Sequence, residues 1–209
     1  MNLKPTDYDF GVPENYSFAS NITCADEKTR QMFVLGYGHM LNYNHEEAIA
    51  CFMKCTELDP NCAMAWWGIA YCVSSNYNWA PGLGSGYDAI QQALAVMGHC
   101  TDLEQDLITA LSTRHTKEAR DSADPSVLNM GNSPELNIAF AKAMAPIYEK
   151  YKGNLDVTAI YVEALMNLKA WQLWDKNTKT GEITPADENT LILVKIMEDT
   201  FEQYDEAKV

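Results

Sequence analysis

Basic side chains are scarce. Fifteen lysines and arginines stand against 29 acidic residues in a chain of 209, a formal charge of −14, and a surface of that sign repels phosphate backbones and anionic lipid headgroups. Nucleic acid and membrane surfaces are therefore not expected partners. No apolar run reaches the roughly 18 residues that cross a bilayer, and the opening MNLKPTDYDFGVPENYSF is too polar for a secretion signal. The expected location is intracellular, in the cytoplasm. Strand-like alternation between turns is missing, which points to an all-α chain. Histidine is limited to four residues, and no HxxxH spacing marks a metal site on one helix. Among the cysteines, Cys51 and Cys55 stand four apart, but no second pair at zinc-ribbon spacing accompanies them. Four of the six cysteines occupy positions in helical patterns that suit a small apolar residue, so they are read as buried thiols in a reducing compartment.

What the chain does contain is a repeat. Met32, Leu35, Gly36, His39, Ala48, Phe52, Cys55 and Pro60 follow the order of a helix–turn–helix unit with a period of about 34 residues. One period onward, the tryptophan position falls on Trp66 within CAMAWWGIAY, where a third helix is expected to begin. Residues spaced this way serve helix packing rather than chemistry. The apolar content of 47% over 209 residues supports one substantial core.

Residues 1–23, rich in Pro, Asn, Tyr and Gly, predict an extended surface arm, and 24–209 a single helical domain of about eight helices. The first covers 26–42. Asn44 with Glu47 has capping-box spacing and opens the second, which Asp59-Pro60 stops. The third spans 62–75, and SSNYNWAPGLGSG after it is longer than a repeat turn needs, so it reads as an insertion. Helices follow at 87–98, from Thr101 with its cap partner Glu104, from Ser133-Pro134 to Gly153, at 156–170, and from Thr184-Pro185 onward.

The run FVLGYGHMLNYNHEEAIACFMKCTELDPNCAMAWWGIAY, the later YVEALMNLKAWQLWD and the proline-bearing start of the last helix resemble the N-terminal part of large, mostly uncharacterised tetratricopeptide-repeat proteins. Asn44, His45, Asp59, Pro60, Cys62, Ala63, Met64, Trp67, Gly68, Asn76, Asn78, Leu165, Met166, Asn167, Leu168, Trp171 and Trp174 carry the likeness. It implies an antiparallel helical-repeat scaffold and brings no catalytic residue with it.

Two candidate sites follow. In a helical array the first helix of each pair lines a concave surface, and that pattern points Arg30, Phe33, Tyr37 and Met40, then Met64, Trp67, Tyr71 and Ser74, toward it. An aromatic, methionine-rich face suits a protein, a peptide or a small-molecule ligand, unless the arm or the inserted loop covers it. The groove lacks the Lys and Asn that would grip an acidic C-terminal peptide, holding Phe33, Tyr37 and Gly68 instead. The second candidate arises because alternate helix connections share one edge. His45, Asn76, Asn78, Trp79, His115, Trp171 and Trp174 fall there, with His39 a turn away. His39, His45 and His115 are candidate ligands for zinc, copper or iron, or an acid and base near neutral pH, with Glu46, Glu47 or Asp121 as carboxylates. The plain alternative makes them a packed residue, a turn residue and a helix-end residue. His45 and Cys62 are separated by a helix about 18 Å long and cannot share one ion.

The last helix carries Leu191, Ile192, Val194, Ile196, Met197 and Phe201 around an unusually wide apolar stripe, a face for a second copy of the chain or another protein. The leading expectation is a noncatalytic binding scaffold; a small metal- or ligand-dependent enzyme at the loop edge is the alternative.

Overall fold

Helix boundaries here are set by side chains that satisfy backbone groups a helix leaves open at its ends. A computed structural model describes residues 18–74, 76–78, 86–121 and 134–205. Among them run α1 (Glu27–Leu41), α2 (His45–Leu58), α3 (Ala63–Val73), α4 (Tyr87–Val96), α5 (Asp102–Ser112), the short α6 (Lys117–Asp121), α7 (Pro134–Lys150), α8 (Leu155–Met166) and α9 (Glu188–Asp205). Asp26 caps α1 by accepting from Thr29 N at 2.8 Å. Thr101 and Glu104 form the expected capping box of α5. The box expected at Asn44 and Glu47 is not formed; Asn44 sits at the N-cap of α2 without a side-chain bond to it. Ser133 lies outside the described residues.

One ring joins the first three helices. Phe52 of α2 is fully buried. A Cβ added at Gly36 would lie 2.9 Å from its Cε1, and one added at Gly68 would lie 2.6 Å from its Cε2. Both distances are shorter than real Cβ contacts, so α1 and α3 can close on Phe52 only where each lacks a side chain. Gly36 and Gly68 therefore let α1 and α3 approach the two edges of one ring. Consecutive helices then pack on one another from α1 to α5, α5 meets α7, and α7, α8 and α9 continue the series. The core passes through Phe33, Phe52, Met64, Trp67, Leu107, Leu111, Phe140, Met144 and Ile160.

Three expectations are corrected. The arm is not a surface feature from Phe18 onward, because a 3-10 turn at Phe18–Asn21 places Ala19, and just after it Ile22, in the core; residues 1–17 lie outside the described residues. A short antiparallel hairpin, β1 (Trp174–Lys176) with β2 (Ile183–Pro185), occupies a segment expected to be loop, with Trp174 opposite Pro185. Pro185 therefore belongs to a strand rather than a helix start, and Asp187 caps α9 instead, accepting from Thr190 N at 2.9 Å. The fold is otherwise helical. No helix among the described residues is long and apolar enough to cross a membrane.

Substituting Gly68→Ala is expected to destabilise the protein by about 1–3 kcal/mol through overpacking against Phe52, even though alanine is the better helix former by about 1 kcal/mol. Urea denaturation checks it. An unchanged or raised midpoint would show that Phe52 moves aside freely.

Candidate functional site

The proposed concave face is largely closed by the chain itself. Phe18 stands edge-on to Tyr37 (5.1 Å between centroids), Trp67 (6.4 Å) and Phe33 (6.5 Å). Phe33, Tyr37, Met40, Met64, Trp67, Tyr71 and Ser74 are all buried, and of the set Arg30 is only partly so, lying 3.6 Å from Glu27. Carboxylates secure the covering segment. Asp156 accepts from Phe18 N and from the Tyr37 hydroxyl, both at 2.8 Å. Glu104 accepts from Thr23 N and Oγ1, both at 2.7 Å, and Asp59 from Ala25 N at 2.7 Å. Burial raises the Asp156 carboxyl above the ordinary value against the pull of its two donors.

Two of the candidate histidines bond the end of α3. His45 Nδ1 lies 3.1 Å from Cys72 O, and His115 Nε2 lies 3.1 Å from Ala70 O. With the donating tautomer assigned to each, both rings bond carbonyls that the last turn of α3 leaves open. Ser74 Oγ also donates to Ala70 O at 2.9 Å and lies 3.0 Å from His115 Nε2. The serine proton therefore goes to the helix, and the buried Oγ is no nucleophile. His39 is buried near the end of α1. Among the described residues, no group of three or more His, Cys, Asp or Glu converges as metal ligands would; of the candidates His39, His45 and His115, the last two bond carbonyls of α3. Asp121 pairs with Arg120 at 2.7 Å instead. All six cysteines are free. Burial pushes the Cys62 thiol up to about 12, which keeps it protonated.

The edge itself holds a different constellation. Asn76 lies beside His45, Nδ2 to Nδ1 at 3.4 Å, and its Oδ1 accepts from Asn78 N at 2.9 Å. That side-chain turn presents Tyr77, whose ring stacks on Trp171 at 5.5 Å and 25°. Tyr43 stacks on His45 at 5.7 Å and 19°. Glu163 of α8 accepts a short hydrogen bond from the Tyr71 hydroxyl, and the Tyr43 hydroxyl also faces it. Burial, with the Glu163 charge second, pushes the Tyr43 phenol up to about 12 and the Tyr71 phenol well above its ordinary value. Trp79 lies outside the described residues, and Trp174 stands half-exposed in the hairpin.

Two backbone conformations set this edge apart. At the end of α1, Asn44 N donates to His39 O at 2.9 Å and Tyr43 N to Met40 O at 3.0 Å, with Tyr43 at φ 60°. That is a Schellman turn, whose left-handed position is ordinarily glycine. Ala170 (φ −48°, ψ 125°) and Trp171 (φ 62°), with Gln172 N donating to Lys169 O at 2.8 Å, form a type II turn, whose third residue also calls for glycine. Among the described residues, Tyr43 and Trp171 are the non-glycine positions with positive φ. Each bulky residue held there costs roughly 1–2 kcal/mol. Both are aromatic, and both stay exposed, at 42% and 72%.

Comparison with protein-family models, with curated proteins and with solved structures finds no match to this chain. Tyr43, Tyr77 and Glu163 are absent from the sequence-derived candidates. A signal for Tyr43 exists in hindsight, since LNYNHEE joins two helices without the glycine a tight turn prefers.

A pH dependence follows from His115. Gly86 packs on its ring tip, where a Cβ would come within 2.6 Å of Cε1, and burial, with the Arg114 charge second, pushes the imidazole down to about 4. The residue is partly exposed, but its ring tip is enclosed by Gly86 and by the bond from Nε2 to Ala70 O. The unfolded chain, titrating near 6.5, takes up the proton first as pH falls, so stability intact above that value is lost progressively down to about pH 4, on the order of 3 kcal/mol. Urea unfolding at pH 7.0 and pH 4.5 is expected to show a larger loss in the wild type than in His115→Gln. Equal losses would refute it.

Proposed function

We propose that the chain is a tetratricopeptide-type binding module whose ligand sits on the rim formed by Tyr43, Tyr77, Trp171 and Glu163, rather than in the concave groove. One observation carries the reading: two large aromatic rings occupy glycine conformations on the same rim. Backbone strain of this kind persists where function requires the side chain. A helix C-terminus or type II turn needing only to fold is served better by glycine. Close packing of α1 and α3 on the Phe52 ring of α2 supports the repeat architecture, because consecutive helices of such an array stack face to face. Free thiols at all six cysteines support a reducing, cytoplasmic setting.

The metal-dependent enzyme is the weaker reading. His45 and His115 each direct a ring nitrogen at a backbone carbonyl of α3, 3.1 Å away, which leaves the other nitrogen of each as the one able to ligate an ion. Among the described residues no group of three or more His, Cys, Asp or Glu gathers to complete such a site. The apolar stripe of α9 is split, with Leu193 and Ile196 packed inward and Leu191, Ile192, Met197 and Phe201 exposed.

The test needs no ligand. If the rings serve binding at the expense of the backbone, Tyr43→Gly and Trp171→Gly should each leave the free energy of unfolding unchanged or raise it by up to about 1 kcal/mol, read from urea denaturation. A loss of more than about 2 kcal/mol in both would mean that the rings hold the fold together, and the rim reading would fail.

A further inference from the structure

We propose that this rim binds an organic ammonium ion, seated against the exposed rings of Trp171, Tyr77 and Tyr43 with Glu163 as its counter-charge. The inference rests on the rim-binding reading and names its ligand class.

The argument begins with the rings. An alkylated ammonium over aromatic faces gains about 0.5–2 kcal/mol per ring from the negative π-face, more where water is excluded. The rings are neighbours through one chain of contacts: Trp171 stacks on Tyr77, Asn76 before it lies 3.4 Å from His45 Nδ1, Tyr43 stacks on that imidazole, and the Tyr71 hydroxyl of α3 holds Glu163, which Tyr43 also faces. His45 covers Tyr43 on one side at 5.7 Å, leaving 42% of the residue open to solvent. Trp171 is 72% exposed and stacks one ring face on Tyr77.

Charge selects the sign of the ligand. Glu163 meets the Tyr43 and Tyr71 hydroxyls, which remain protonated because burial and the carboxylate both raise them. They act as neutral donors that orient Glu163 and add no anion of their own. Arg114 lies deeper, its Nη2 donating to Asn137 Oδ1 at 2.7 Å and its guanidinium 5.4 Å over Phe140. Its charge and that of Glu163 stabilise each other. A small hydrated metal ion, which relies on carboxylate charge, is therefore served poorly. An alkylated ammonium, which also gains dispersion and cation–π energy from the rings, is served well. The overall charge of −14 favours approach of any cation.

Two sources supply such a head group: a free trimethylammonium compound, or the side chain of a methylated lysine on a peptide. Calorimetric titration of the full chain with choline, with a Gly-flanked trimethyllysine peptide, and with 3,3-dimethylbutan-1-ol, the uncharged carbon counterpart of choline, separates them. At least one of the two cations is expected to bind roughly tenfold or more tightly than the alcohol, the factor a cation–π and charge contribution supplies. The tighter of the two identifies the source. Glu163→Gln and Trp171→Gly should each weaken that binding at least about tenfold, while His99→Ala, on an exposed residue away from the rim, should leave it unchanged. Equal binding of the alcohol, no binding of either cation at 10 mM (a ceiling of roughly −3 kcal/mol), or binding indifferent to both variants would overturn the ammonium assignment. Such a failure beside glycine variants that still unfold no more easily than wild type would leave the rim intact as a site for another ligand. Failure of both experiments would remove the rim altogether.

Discussion

The Phe52 ring between Gly36 and Gly68 sets the distance at which α1 and α3 flank α2, and the rim depends on that distance. Gly36 and Gly68 each lie five residues before the last residue of their helix, about one and a half turns, so α1 and α3 emerge level with each other. The Schellman turn at Tyr43 and the side-chain turn at Asn76 therefore arise side by side, with His45 between them. Wider spacing at the clasp would break the His45 bond to Cys72 O and separate Tyr43 from Glu163 across the same gap. Core packing and site geometry are thus two consequences of one close approach.

Polar groups behind the rim follow the same logic. The last carbonyls of α3 point into a crowded region, where an unpaired acceptor costs about 1–3 kcal/mol. Ser74 and His115 meet Ala70 O, and His45 meets Cys72 O. A histidine held neutral by burial is a good donor for this task, because it brings a directed N–H without a full charge to desolvate. Gathering three such side chains at one helix end also fixes the loop that carries Tyr77. Two of the three histidines that the sequence offers as metal ligands, His45 and His115, stand here at the open carbonyls of α3.

Legibility in the sequence tracked locality. The Thr101–Glu104 capping box and the stop at Asp59-Pro60 are relations within a few residues, and each has its physical cause in the structure. Coverage of the groove by the arm was legible as an alternative, but not that Phe18 provides it, because its partners Phe33, Tyr37, Trp67 and Asp156 lie in separate helices and no periodicity relates them to the arm. Glu163 looked like an ordinary polar position in an amphipathic pattern; its meaning comes from Tyr71, 92 positions away. The hairpin at 174–185 was too short for alternation to show. Trp171 was placed on the edge by helix direction alone, yet its left-handed backbone could not be foreseen, since nothing in LKAWQL demands a type II turn with tryptophan in the glycine position.

Strain at Tyr43 and Trp171 has different local origins, one a helix terminus and the other a turn after a 3-10 segment, and the two are far apart in the chain. Packing cannot account for both at once: Trp171 is largely exposed, and the contacts of Tyr43 are a neighbouring histidine and a carboxylate on the surface side of the core. The left-handed backbone turns each side chain off the path it would take from a helical or extended residue, and in both cases that redirection carries a ring toward the edge where Tyr77 and Glu163 lie. A glycine would satisfy either turn and leave the edge without its aromatic surface. The common consequence of the two unfavourable conformations is the ring strip itself, which is why its composition, aromatic faces ending at an oriented carboxylate, is the part of the molecule from which ligand chemistry can be inferred.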